Sequence, residues 1–465
     1  MRRNICFALV AFSIMLALLC MPARPALAQE DIPATWYFAE GTTREGFHEY
    51  ISLQNPEAHT ATVTITYMTN EGPLGPYVHD IPPVSRGTVY VNGYLDPGLD
   101  VSVRVESDSG LVAERPMYFD YKSKWEGGHV VEGVTAASTT WYFAEGSTGP
   151  GFEEWLCIQN PQQVDLPVTV TYYMQNVVKQ ETYAVPAQHR HTLDINYEVA
   201  RLWPQAPYQD VSIKVEAAQG IIAERPMYFA YRGDWEGGHA VVGETEPGKE
   251  WFLAEGFCDW SFETWICILN PNLEPADVAI NYRSVDGAAL APQLVGVPGY
   301  SRFTIYANEV VGRGEFSFHV TSDQPIVVER PMYFTYMYAW EGGHDNMAMD
   351  RAAGEWYLAE GSTRQGIETY LCILNPLDVD QEVYITYMME ESRNEVVDFI
   401  IPARSRYTRS VNADVGPGHD VSFRIKAQKG ASFAEKGGIV VERPMYFLYG
   451  GEIPGGHVAS GFPLD

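Results

Sequence analysis

Three polar positions recur four times along the chain and are the natural place to look for chemistry. The first is the Glu of an Ala-Glu-Gly motif: Glu40, Glu145, Glu255 and Glu360. The second is a Glu-Arg pair ahead of Pro-Met-Tyr-Phe: Glu114-Arg115, Glu224-Arg225, Glu329-Arg330 and Glu442-Arg443. The third is the His that closes Gly-Gly-His: His129, His239, His344 and His457. Two carboxylates on either side of a sugar bond hydrolyse glycosides, and a nearby His can act as general acid or base. Four copies of one catalytic site in tandem are rare, whereas structural and binding modules repeat routinely, so no catalytic residue is assigned and no enzyme is expected. Alternation along a strand puts Arg115 on the face of Leu111, Ala113 and Met117, the core side. A buried guanidinium needs a partner, and the recurring acid not adjacent to it is Glu40. The expectation is four structural ion pairs within repeats: Glu40–Arg115, Glu145–Arg225, Glu255–Arg330 and Glu360–Arg443, each held by two hydrogen bonds to the arginine fork.

Other chemistries find less. Each repeat has one recurring His and no Cys-x-x-Cys or His-x-x-x-His spacing, so zinc is not expected. Asp100, Asp210 and Asp420, with Glu315 in the third repeat, precede a strand and bear on calcium. No acidic Asp-x-Asp-x-Asp-Gly loop accompanies them, so no metal or cofactor is assigned. Cys157, Cys267 and Cys372 occupy one position in three repeats, with Ser52 in the first. Equivalent positions cannot bridge within a domain, and small buried core sites are expected; a Cys258–Cys267 bridge is left open. There is no Gly-x-Ser-x-Gly elbow. The Gly-Gly before each His is read as a tight turn with positive φ. Recurring aromatics are assigned to the core, while Trp203, Trp260 and Tyr338, near predicted loops, are the ligand-binding candidates.

The elements that must position these residues are strands. Trp36, Trp141, Trp251 and Trp356 each open a repeat, and an Asn-Pro follows 19 residues after each Trp. Period-two runs such as Ala61–Tyr67 and Val101–Val105, broken by Gly and Pro, predict strands near 35–40, 48–54, 60–69, 75–81, 86–92, 100–107, 111–121 and 129–133. No helix of useful length is expected. A repeat of this length suits a self-contained domain rather than a solenoid unit. The fold class is therefore all-β, four tandem immunoglobulin-like β-sandwich repeats. Domains are placed at 29–138, 139–248, 249–353 and 354–465, after a signal peptide at 1–28. A row of beads is the default arrangement and a closed ring of four the alternative. Extra residues near 200–204 and 430–436 are placed in loops.

The set W-Y-F-A-E-G, Asn-Pro, V-T-I-T-Y-M, V-S-V-R-V and A-E-R-P-M-Y-F resembles a family of uncharacterised repeat domains in secreted actinobacterial and related bacterial proteins. That resemblance covers nearly the whole mature chain and implies an extracellular or cell-surface β-domain without an assigned reaction. Repeat four departs from it at Ile453-Pro454, where the others have Trp-Glu.

Arg2 and Arg3, an apolar run over 5–21 and Ala26-Leu27-Ala28 read as a signal peptide cleaved after Ala28, so the protein is expected outside the cell or at its surface. The net charge of −29 argues against nucleic acid. The leading functional expectation is a non-enzymatic structural, adhesive or spacer array. The alternatives are a carbohydrate-binding module array and a secreted hydrolase using the Glu-Arg-His set. Expected partners are cell-wall or extracellular polysaccharide or a surface protein.

Overall fold

The computed structural model describes residues 31–174, 177–285, 290–389, 394–429 and 437–464. The predicted signal peptide and the extra residues near 430–436 lie outside the described residues.

Alternation of β-branched and polar residues produces strands where it was expected. In repeat one they are β1 (Thr35–Phe38), β2 (Phe47–Asn55), β3 (Ala61–Thr69), β4 (Gly72–Ile81), β5 (Ser85–Tyr90), β6 (Ser102–Ser107), β7 (Val112–Tyr121) and β8 (Trp125–Glu132). They form two antiparallel four-stranded sheets, in the orders β1-β6-β3-β4 and β5-β2-β7-β8. Trp36, Phe38, Val63, Ile65, Val103 and Val105 of one sheet bury against Ile51, Leu53, Val112 and Ala113 of the other. The fold is thus all-β and sandwich-like. Repeat four has the same two-sheet arrangement, and in repeats two and three one long strand (Val211–Tyr231, Gly314–Glu329) runs through both sheets.

The recurring motifs hold each sandwich closed. Trp36, Trp141, Trp251 and Trp356 are buried, and their indole N–H groups donate to the carbonyls of Leu111, Ile221, Ile326 and Ile439. The Asn55 amide donates to the carbonyls of His59, Ile81 and Pro82, fastening the turn after β2 to the end of β4; Asn160, Asn270 and Asn375 do the same. In repeat two the extra residues fall not in a loop but at the end of a helix, α1 (Ile195–Leu202), whose N-cap Asp194 accepts from the Tyr197 N–H. The sequence reading missed this helix because eight residues are too few for a clear helical period.

The four repeats do not form a row; they close into a ring. β8 packs against both Trp235–Val242 of repeat two and Ile453–Ser460 of repeat four. Trp340–His344 of repeat three packs against the same two strands from the other side. The glycines of Gly-Gly-His are what let these strands meet. A Cβ built on Gly127 lies 3.2 Å from the Gly237 Cα, and one on Gly237 lies 3.3 Å from that of Gly342. One on Gly342 lies 3.1 Å from Gly455, and one on Gly455 lies 3.2 Å from Gly127, which closes the circuit. These glycines sit in strands and are not among the positive-φ residues, so close approach rather than a tight turn explains them. No sheet among the described residues takes strands from two repeats, so the ring is held by side chains.

Candidate functional site

The recurring polar residues converge, but at the junctions between repeats. Arg115 is fully buried and its Nη2 lies 2.7 Å from the Glu40 carboxylate. The corresponding distances are 2.9 Å for Arg225–Glu145 and 3.0 Å for Arg330–Glu255. The fork geometry expected for these pairs is absent. Arg115 hydrogen-bonds instead to the Glu40 main-chain carbonyl and, at 2.9 Å, to Glu224 of repeat two. Arg330 bonds the Glu255 carbonyl and, at 2.8 Å, Glu442 of repeat four. Arg225 lies 3.0 Å from Glu329 of repeat three. Repeat four differs further: Arg443 bonds the Glu360 carbonyl at 2.6 Å and Glu114 of repeat one at 2.7 Å. The Glu360 carboxylate turns away to Arg86 at 3.2 Å and to the Ser52 hydroxyl. The expected Glu360–Arg443 side-chain pair is therefore replaced by a main-chain bond.

The Glu that precedes each Arg, left without a role by the sequence reading, reaches back across the junction. Its carboxylate also accepts a main-chain N–H from the neighbour, on the second oxygen in Glu224 from Ala39, Glu329 from Ala144 and Glu114 from Ala359, and on the arginine-bound oxygen in Glu442 from Glu255. A second arginine completes every junction. Arg190 bonds the carbonyls of Gly41 and Val101, Arg302 lies 3.0 Å from Asp210, Arg406 lies 2.5 Å from Glu315, and Arg86 reaches the Gly361 carbonyl. The acids weighed for calcium are therefore spent on arginines; Asp100 and Asp420 hold Arg44 and Arg364, each at 2.6 Å.

The cysteines face this second arginine. Arg190 reaches the Cys157 sulfur at 3.1 Å, Arg302 that of Cys267 at 3.5 Å and Arg406 that of Cys372 at 3.2 Å, while Arg86 reaches the Ser52 hydroxyl at 3.2 Å. They are small buried residues at a junction rather than inside one sandwich. All four described cysteines are free, Cys258 and Cys267 included. Burial pushes the Cys157 thiol up to about 11 and Cys372 to about 12, so neither is a nucleophile near neutral pH.

The recurring histidines are buried against the Phe of Met-Tyr-Phe, with ring centroids 5.4–5.8 Å apart. Burial holds all four imidazoles in the neutral form, His239 down to about 3. His129 lies 3.9 Å from Glu40 and His344 lies 3.6 Å from Glu255.

Aromatic side chains also pair across the ring. Tyr121 stacks on Tyr228, Tyr231 on Tyr333, Tyr336 on Tyr446 and Tyr449 on Tyr118, at 3.9–4.1 Å and within 10° of parallel. The Met-Tyr-Phe tyrosines assigned to a sandwich core are thus junction residues. Beside these stacks run open grooves. Between repeats one and two a groove of about 510 Å³ is lined by Glu40, Asp100, Tyr121, Trp155, His191 and Tyr228. Between repeats four and one a groove of about 300 Å³ holds Tyr50, Tyr118, Glu360, Arg364 and Tyr449. Between repeats three and four a groove of about 230 Å³ holds Glu255, Tyr336, Tyr370, Arg406 and Tyr446.

The three candidate ligand aromatics separate. Trp203 caps α1 and packs on the repeat-two core, with the Lys179 ammonium 5.1 Å from its ring. Trp260 and Tyr338 meet on the surface of repeat three, where the indole N–H donates to the Tyr338 hydroxyl at 3.1 Å and Arg313 stacks on Trp260 at 3.7 Å. Both are exposed.

No family model matches this chain. No curated protein matches it. Among solved structures, the crystal structure of Thermotoga maritima 1070 is similar over 23% of this chain and 97% of its own, at 19% identity and a TM-score of 0.21. The Anabaena sensory rhodopsin transducer is similar over 18% of this chain and 95% of its own, at 24% identity and a TM-score of 0.17. A tetra-tandem repeat from the extending region of a large adhesion protein is similar over 88% of this chain and 93% of its own, at 8% identity and a TM-score of 0.12. Among the described residues, no helix is long and apolar enough to cross a membrane.

Proposed function

We propose that this is a non-enzymatic binding protein of the cell exterior, four immunoglobulin-like sandwiches closed into a ring whose inter-repeat grooves take extracellular or cell-wall polysaccharide. The observation that carries the reading is the recurrence, at successive junctions, of a groove walled by stacked tyrosines and floored by a carboxylate and a guanidinium. Aromatic walls suit the apolar faces of sugar rings, and a few fixed polar groups at the base suit their hydroxyls. A spacer or extended adhesive array is not what a closed ring suits, because its ends meet and its length is spent on the circuit. The Glu-Arg-His set is occupied in holding repeats together, which speaks against its use in turnover.

The test is a screen of the full secreted chain against soluble cell-wall polymers and glycans, followed by titration. Trp155→Ala and Tyr50→Ala, each at a groove wall, are expected to weaken binding. Absence of binding to every polymer overturns the reading. Release of reducing ends would establish the hydrolase instead.

A further inference from the structure

The ring breaks its own repetition at one buried position. The residue after the recurring His is Val130, Ala240 and Val458 in repeats one, two and four, but Asp345 in repeat three. Asp345 is 2% exposed and sits in the wall of an open pocket of about 410 Å³ lined by all four repeats. Its Oδ2 accepts from Arg225 at 2.6 Å, and its carboxylate is also hydrogen-bonded to the neighbouring carboxyl of Glu329. Across the junction, in repeat two, stand Glu145 and His239. One ligand atom from each of Glu145, His239 and Asp345 lies within 4.8 Å of the other two. His239 is 1% exposed and neither of its ring nitrogens has a hydrogen-bond partner, as is also true of His129, His344 and His457; among the described residues only His239 falls in such a group of ligand atoms. A buried polar group without a partner is costly and calls for an explanation.

We propose that Glu145, His239 and Asp345 form a site for one divalent transition-metal ion of the zinc class, which clamps repeat two to repeat three. The donor set is one imidazole nitrogen and two carboxylates, which suits zinc and its neighbours; calcium takes six to eight oxygens instead. Metal–ligand bonds of about 2.0–2.2 Å bring three donors to about 3–3.5 Å from one another, so modest side-chain rotation closes the site. The acids at this junction also depart from the repeat pattern. Arg115 and Arg330 each stand beside two carboxylates, whereas Arg225 stands beside three, those of Glu145, Glu329 and Asp345. The open pocket provides the approach. Spacing motifs could not reveal such a site, because its ligands come from separate repeats and meet only when the ring closes.

The experiment uses untagged full-length protein, stripped with a chelator, dialysed against zinc chloride and assayed for bound metal. One zinc per chain is expected, with a rise in melting temperature, and cobalt in its place should give ligand-field absorption. Asp345→Val, which installs the side chain found in repeats one and four, is expected to abolish both the binding and the melting shift. No stoichiometric binding by the native chain, or unchanged binding by Asp345→Val, overturns the proposal. Should that variant fail to fold, X-ray absorption of the zinc-loaded native protein decides. One imidazole nitrogen with oxygen neighbours supports the site, and sulfur or several imidazoles overturns it.

Discussion

Arg225 is a residue whose removal should be felt in two repeats at once. It is buried to the last atom between Glu145 of its own repeat and Glu329 and Asp345 of the next. Taking away one member of a buried ion cluster leaves the other charges unpaired, at a cost of about 3–5 kcal/mol. Arg225→Met in the full chain is therefore expected to lower stability by about that much in urea unfolding; an unchanged midpoint would remove the cluster from the energetics of the ring. Glu49 gives a second residue-scale prediction. It is buried in repeat one, facing Arg115, Glu40 and Arg190, and accepts from the Thr42 N–H at 2.7 Å. Burial is the dominant influence and pushes its carboxyl from 4.5 to about 8. The folded protein therefore binds a proton there that the unfolded chain has lost, and this contribution fades as pH rises from the unfolded value through about 8. Glu49→Gln keeps the acceptor for Thr42 without the charge. The variant's stability is expected to fall less than the native protein's between pH 5 and pH 8, measured by thermal melts across that range.

At the scale of elements, the decisive pieces are the four Gly-Gly-His strands. Each is an ordinary strand to its own sheet, yet each must also lie against two strands from other repeats. Gly237 meets the Gly342 backbone directly, so any side chain forces the axis apart. Gly237→Val is expected to cost about 1–3 kcal/mol through overpacking, read as a drop in the unfolding midpoint. Gly233 in the adjacent turn is the control, although its φ of +78° makes even that site uncomfortable for a side chain. Gly233→Asn, a residue that tolerates this conformation, should change stability little, because nothing lies within 4 Å of the added Cβ. Equal losses at both positions would mean that backbone conformation, not the meeting of strands, governs the Gly-Gly pair.

For the whole molecule, closure changes what a single repeat can do alone. Cut out as 139–248, repeat two keeps its hydrophobic core but loses Glu329 and Asp345 from Arg225, and loses Arg115 from Glu224. It also exposes Tyr228 and Tyr231, which stack on Tyr121 and Tyr333 in the ring. Such a fragment is expected either to melt well below the full chain or to self-associate and recover the junctions between its own copies. Sedimentation across a range of concentrations, alongside thermal melts, distinguishes these outcomes from a stable monomer. A monomer as stable as the full chain would show that the junctions contribute little.

What the sequence determined by itself is local. Period-two patterning, Asn-Pro turns and recurring Trp residues placed the strands of Ala61–Thr69 and Val112–Tyr121 within a residue or two, because strand formation and burial face depend on near neighbours. The buried Arg115 and its need for a carboxylate were legible for the same reason. Which carboxylate completes the bond was not. Glu40 and Glu224 are both recurring acids, and only the placement of repeat two against repeat one brings Glu224 to 2.9 Å. Strand periodicity carries no information about contacts between repeats, so the ring, the stacked tyrosines and the meeting of Glu145, His239 and Asp345 appear only in the tertiary structure. The glycines show the limit most clearly. Their recurrence marked a backbone constraint, but whether that constraint was a positive φ or a neighbouring strand 3.2 Å away depended on residues more than a hundred positions distant.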